Sequence, residues 1–110
     1  VVLTSVVANE TYSTENDDFD VAALVADVEK LRTFSGCFLD RNPCDDITTT
    51  FKKDIPEAVE QACAKCNARQ KQLLKQFLEG IKEKLPQDYA DFKKKYDPEN
   101  KYFENLNKAL

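Results

Sequence analysis

The chain has 110 residues, enough for one domain with a real core and little to spare. A third of the residues are charged and the net charge is −4, with acids gathered at Glu10–Asp20 and bases at Lys71–Lys101; that balance argues against nucleic acid, which wants a net basic face. No histidine is present, which removes the commonest general base and the commonest zinc ligand together, and no apolar run approaches the roughly 18 residues of a membrane span.

Two glycines in the whole chain leave few hairpin turns, and Lys, Glu, Gln, Ala and Leu dominate the second half. All five are good helix formers, so the fold class is all-α. The first residues, Val1 to Ala8, show no amphipathic period. Val6-x-Ala8 fits the small-residue rule of a signal-peptide cleavage site, which makes residues 1–8 a signal remnant or a disordered arm. Asn9-Glu10-Thr11 is a glycosylation sequon, and Glu10 to Asp18 is polar, acidic and expected to be extended.

Apolar positions then recur at Val21, Leu24, Val25, Val28, Leu31, Phe34 and Phe38, the spacing of an amphipathic helix, with Asp20 as its N-cap. Gly36 allows a close approach just before Cys37, and Asp40-Arg41-Asn42-Pro43 is a turn cluster. Helix resumes from a cap at Asp45 or Asp46, with Ile47, Phe51 and Ile55 on one face. Pro56 either kinks this helix or opens a new one, and Val59, Ala62 and Cys63 continue an inward face. The span from Cys66 to Lys84 reads as one helix with an apolar stripe of Leu73, Leu74, Phe77, Leu78, Ile81 and Leu85. Pro86 ends it and opens a helix carrying Tyr89, Phe92 and Tyr96; Asp97-Pro98-Glu99-Asn100 is a turn. The tail offers Tyr102, Phe103, Leu106 and Leu110 for a short docking helix. No internal repeat or low-complexity segment is visible.

No catalytic constellation emerges: no nucleophile motif, no glycine-rich phosphate loop, no calcium loop. The adjacent pairs Asp17-Asp18 and Asp45-Asp46 are expected to cap helices or face solvent. The chain is read as a non-enzyme without a cofactor. Its four cysteines follow the pattern Cys37-x6-Cys44-x18-Cys63-x2-Cys66. An even count in a short chain suits an oxidising compartment, and the spacing alone leaves three pairings open. A zinc site is the rival, but structural four-cysteine sites usually bring two close pairs, and Cys37-x6-Cys44 is too open. A redox role for Cys63-x2-Cys66 lacks the βαβ surroundings such motifs use.

The cysteine frame, with Phe38-Leu39-Asp40 after the first cysteine, Ile55-Pro56-Glu57-Ala58 before the third, Cys63-Ala64-Lys65-Cys66 followed by Gln70-Lys71, and Lys95-Tyr96-Asp97-Pro98 near the end, resembles the insect chemosensory proteins. The likeness runs from Tyr12 to Leu106. It implies a secreted, monomeric protein of about six α-helices around an apolar channel, with sequential Cys37–Cys44 and Cys63–Cys66 disulfides. Residues 9–110 would form a single carrier domain, broken near Ala26-Asp27 between its first two helices. Sequential pairing makes two small rings, which in the chain-entropy model stabilise by only about 2 kcal/mol each.

The resemblance also implies a function. Seven phenylalanines and four tyrosines lie on amphipathic helices and, taken alone, read as core. As a chemosensory protein the chain would bind odorants, pheromones or fatty-acid derivatives, serve a chemoreceptor, and line its channel with Phe34, Phe38, Phe51, Ile55, Leu73, Phe77, Leu78, Ile81 and Tyr89. Tyr89 stands where the family commonly has tryptophan, and Phe34 where it commonly has tyrosine. Glu15-Asn16 replaces a frequent Lys-Tyr pair, and Asn100 a usual glycine. The alternative is a secreted interaction or developmental factor whose cavity is incidental.

Overall fold

Asp20, Asp27, Asp45 and Asn67 each accept a hydrogen bond from a backbone N–H three residues on, and each starts a helix. In the computed structural model, which describes residues 11–110, the elements are α1 (Val21–Ala26), α2 (Val28–Phe38), α3 (Asp46–Glu60), α4 (Ala68–Lys84), α5 (Pro86–Tyr96) and α6 (Phe103–Ala109). The described residues contain no strand. The expectations for Val1–Ala8 and for glycosylation at Asn9 lie outside the described residues.

The break between α1 and α2 falls at Asp27, whose extended backbone ends one helix while its side chain caps the next through the Lys30 N–H. One expected boundary shifts. The fourth helix starts at Ala68 rather than Cys66, because Asn67 and Gln70 form a reciprocal capping box that fixes the first turn there. Of the two alternatives at Pro56, the structure has the proline inside one helix, α3, which runs on through it to Glu60, rather than opening a new one. From Glu15 to Asp18 the acidic stretch before α1 is turned rather than extended, with Asp17 N–H bonded to the Thr14 carbonyl and Phe19 N–H to that of Asn16.

Disulfides join Cys37 to Cys44 and Cys63 to Cys66. Each ring starts at a helix end closed by the same device. After α2, Asp40 N–H bonds the Cys37 carbonyl and Arg41 N–H that of Gly36; after α3, Ala62 N–H bonds Val59 and Cys63 N–H bonds Ala58. Both turns need a left-handed residue, supplied by Asp40 (φ 62°) and by Ala62 (φ 53°) in place of glycine. Gly36 leaves room for Asn42: a Cβ there would lie 2.1 Å from Asn42 Oδ1 inside the first ring, so the asparagine side chain would have to move.

The helices bury one continuous core in which Leu31, Val59, Ile81, Phe92 and Leu106 are fully enclosed. The Lys95–Pro98 element acts as a tether. Lys95 reaches Asp40 Oδ2 at 2.6 Å, and Tyr96 donates its hydroxyl to the Phe38 carbonyl at 2.7 Å, where burial pushes the phenol up to about 12. Asp97 accepts from the N–H groups of Lys101, Tyr102 and Phe103 at 2.7, 2.9 and 3.0 Å, holding the start of α6. Burial opposes its ionisation, but these donors outweigh it and keep the carboxyl below its usual range.

Candidate functional site

Four helices converge on a narrow, mainly apolar cavity of about 100 Å³. Helical spacing explains each contribution. Val21 and Leu24 come from α1, Phe34 and Phe38 from α2, Phe51, Ile55 and Ala58 from α3, and Leu73, Leu74 and Phe77 from α4. Within each helix these residues are three, four or seven apart, except that Leu73 and Leu74 are adjacent, standing four and three residues before Phe77, so each set lies on one helix face. Val21, Leu24, Phe38, Ile55, Ala58, Leu73 and Phe77 are buried and form the inner wall. Tyr12, Ser13, Asn16, Thr50, Asp54 and Gln70 are half-buried or exposed and form a polar mouth beside Cys66.

The mouth exists because the segment 12–19 is pinned across it. Tyr12 N–H bonds the Lys65 carbonyl (3.1 Å), and Tyr12 hydroxyl donates to Glu57 Oε1 (2.8 Å), which Lys65 also approaches (3.3 Å to Oε2). Asn67 and Gln70 donate side-chain N–H groups to the two oxygens of Asp17 (2.8 and 3.0 Å). Arg69 donates to the carbonyls of Asp17 and Phe19 (2.8 and 3.2 Å). Burial and the Glu57 bond raise the Tyr12 phenol, and the same bond lowers the Glu57 carboxyl. Burial also pushes the Asp54 carboxyl up from its ordinary value. Among the described residues no buried side-chain polar atom lacks a hydrogen-bond partner, so the inner wall offers apolar contact alone.

An aromatic cluster separates this cavity from a second hollow. Phe34 lies 5.4 Å from Phe19, 5.1 Å from Phe38, 6.3 Å from Phe51 and 5.8 Å from Phe77, ring centre to ring centre. On its other side, Phe34 and Leu24 also border a groove of about 490 Å³ that reaches Phe19, Cys37, Pro43 and Ile47. A third hollow of about 400 Å³, by Pro56, Tyr96 and Tyr102, is as polar as it is apolar.

Of the nine residues expected to line a channel, Phe34, Phe38, Phe51, Ile55, Leu73 and Phe77 border the cavity together. Leu78 and Ile81 lie further along α4, buried in the core and away from the cavity. Tyr89 sits on α5 against Phe103 at 6.2 Å, under the ammonium of Lys82 at 5.7 Å. The residues that sequence reasoning passed over are the mouth, together with Val21, Leu24, Ala58 and Leu74. Those on α3 and α4 share a face with residues already singled out, so helical spacing could have found them. Nothing local marks Tyr12, Ser13 or Asn16.

Among the described residues no helix is long and apolar enough to cross a membrane, and no cluster of metal-ligating side chains occurs. The backbone superposes on a chemosensory protein solved in complex with bromo-dodecanol, with a TM-score of 0.80 over 89 % of this chain and 99 % of that one, at 19 % identity. The sequence is 32 % identical over 101 residues to allergen Tha p 1 of Thaumetopoea pityocampa, covering 92 % of this chain and 80 % of the relative. It is 28 % identical over 100 residues to ejaculatory bulb-specific protein 3 of Drosophila melanogaster, covering 91 % and 79 %. Residues 12–104 match the insect pheromone-binding family A10/OS-D. A chain matched over most of its length, with the two short disulfide rings and six helices of the expected frame, belongs to that family.

Proposed function

We propose that the protein is a secreted carrier of small apolar or amphipathic molecules, of the odorant, pheromone and fatty-acid-derivative class. The observation that carries this reading is the cavity itself, with aliphatic and aromatic walls, no buried side-chain polar atom left unpaired among the described residues, and polar groups confined to its mouth. An alkyl chain entering it gains about 0.8 kcal/mol per methylene removed from water. The complex of the structurally similar chemosensory protein with bromo-dodecanol supports an alkyl cargo of this kind.

The cavity is smaller than the roughly 300–1,000 Å³ of usual ligand sites. Loading therefore widens it, and the half-buried Phe34 is where the slack lies. Turning that ring joins the cavity to the groove beyond it. The work is reversible sequestration rather than catalysis, done by residues 9–110 as a monomeric unit that delivers its cargo to a chemoreceptor. With no tryptophan in the chain, displacement of the apolar dye N-phenylnaphthylamine is a suitable readout. Dodecanol should displace the dye and raise the melting temperature. Failure of long-chain alcohols, esters and acids alike to do either would favour the interaction-factor alternative.

A further inference from the structure

The mouth of the cavity is poor in available hydrogen-bond donors. Thr50 donates its hydroxyl to the Asp46 carbonyl (3.0 Å), Ser13 to Glu15 Oε2 (3.1 Å) and Tyr12 to Glu57 Oε1 (2.8 Å). Gln70 uses both amide hydrogens, on the Ser13 carbonyl and Asp17 Oδ1, each at 3.0 Å. Among the described residues no lysine or arginine lines the cavity. What faces it unengaged is the carboxylate of Asp54, which has no hydrogen-bond or ion-pair partner among the described residues, and the neutral amide of Asn16.

Asp54 lies one turn beyond Thr50 on α3, level with the Phe51–Ile55 wall, so a chain seated against that wall brings its head near the carboxylate. The charges around it act in both directions without pairing with it: Lys53, beside it in sequence, and Lys65, engaged by Glu57, favour its charge, Glu57 on its own helix opposes it, and none of them forms an ion pair with it. The tyrosine from the segment 12–19 and the glutamine from α4 that share the mouth carry no charge. An ionised carboxylate entering there meets like charge with only the Asn16 amide as donor. A hydroxyl or ammonium head finds an acceptor already in place.

We propose that Asp54 is a specificity-determining residue of the cavity mouth, accepting a hydrogen bond from an alcohol or ammonium headgroup and turning ionised carboxylates away. This rests on the carrier reading above. Burial already disfavours the charged form of Asp54, and a donor on the ligand relieves that cost.

The test compares decanol, decylammonium and decanoate as displacers of N-phenylnaphthylamine near neutral pH, on the wild type, Asp54→Asn and Asp46→Asn. Desolvation alone disfavours a carboxylate, so the change on substitution carries the test. In the wild type decanol should bind more tightly than decanoate. In Asp54→Asn the decanol-to-decanoate affinity ratio should shrink by about tenfold, equivalent to about 1.4 kcal/mol, mainly through tighter decanoate. Decylammonium should weaken. Asp46→Asn removes the same charge from the exposed start of the same helix and should leave the ratio unchanged. Thermal melts establish that each variant is folded, and Asp54→Ser serves if the asparagine variant is not. Decanoate matching decanol in the wild type, an unchanged ratio in Asp54→Asn, or an equal shift in Asp46→Asn would each overturn the assignment while leaving the carrier reading intact. Failure of all three ligands to displace the dye would overturn both.

Discussion

Phe34 and Phe92 are the same residue type on different helices of one core, in opposite surroundings. Phe92 on α5 is fully enclosed, 6.2 Å from the rings of Phe77 and Phe103 and 4.8 Å from Tyr96. Phe34 on α2 packs against four other phenylalanines, yet it is half-buried and borders unfilled space on two sides. Leu78, Ile81, Phe92, Phe103 and Leu106 border none of the three hollows; Leu73, Phe77, Phe51 and Phe34 border the apolar one. A single aromatic seam thus runs from a packed end, which holds the fold, to a slack end, which can admit a guest.

Truncation at the two ends should separate these roles. Phe92→Ala is expected to cost about 3–5 kcal/mol in denaturant unfolding, the range for emptying a filled aromatic site. Phe34→Ala should cost only about 1–2 kcal/mol, because part of that ring already faces space, and it should alter affinity for the dye more than Phe92→Ala does. Equal losses of stability would erase the distinction.

A smaller effect is expected where α1 docks on α4. A Cβ at Gly80 would lie 2.6 and 2.9 Å from the two methyls of Val25, so Gly80→Ala must push α1 outward. The cost should be about 1–3 kcal/mol. Because α1 also supplies Val21 and Leu24 to the cavity, affinity should change with stability.

At the corner after α3 the sign reverses. Ala62 holds a left-handed backbone and does not line the cavity. Ala62→Gly should therefore stabilise by about 0.5–1 kcal/mol without moving affinity. The smallest effect concerns Asp40, which pairs with Lys52 of α3 and Lys95 of α5 and so links those two helices. Hydrogen bonds from these two lysines lower its carboxyl from 3.8 to about 2. A depressed carboxyl pKa contributes stability above the unfolded value, and the contribution is lost as pH falls through the folded one. Unfolding curves followed down that window should show a shallow acid loss that Asp40→Asn flattens. An exposed pair of this kind is worth little, so the effect is small.

Much of the fold was legible because helices announce themselves locally. Asp20 and Asp45 cap where their side chains can reach back, Pro86 opens α5, and apolar residues recur with the helical period. The start of α4 was misjudged by two residues because its apolar stripe says nothing about the Asn67–Gln70 box that sets the first turn. The segment 12–19 was illegible for a different reason. Its turns are local, but its position depends on Asp17 meeting Asn67, Arg69 and Gln70, partners about fifty residues away with no shared pattern. The same limit governs the site. Leu73, Phe77, Leu78 and Ile81 form one stripe, and periodicity reports which face turns inward. It does not report whether a side chain or a void lies opposite.

That stripe supplies the most direct test of the account, through two matched substitutions five residues apart on α4. Leu73→Trp places a large ring where the cavity has room; stability should change by less than about 1 kcal/mol while dye and alcohol binding is lost. Leu78→Trp places the same ring in packed core; it should cost about 1–3 kcal/mol, with binding retained in the folded fraction. Thermal melts and dye displacement on both variants give all four values. Binding lost in Leu78→Trp and kept in Leu73→Trp would contradict the placement of the ligand site at the slack end of the molecule.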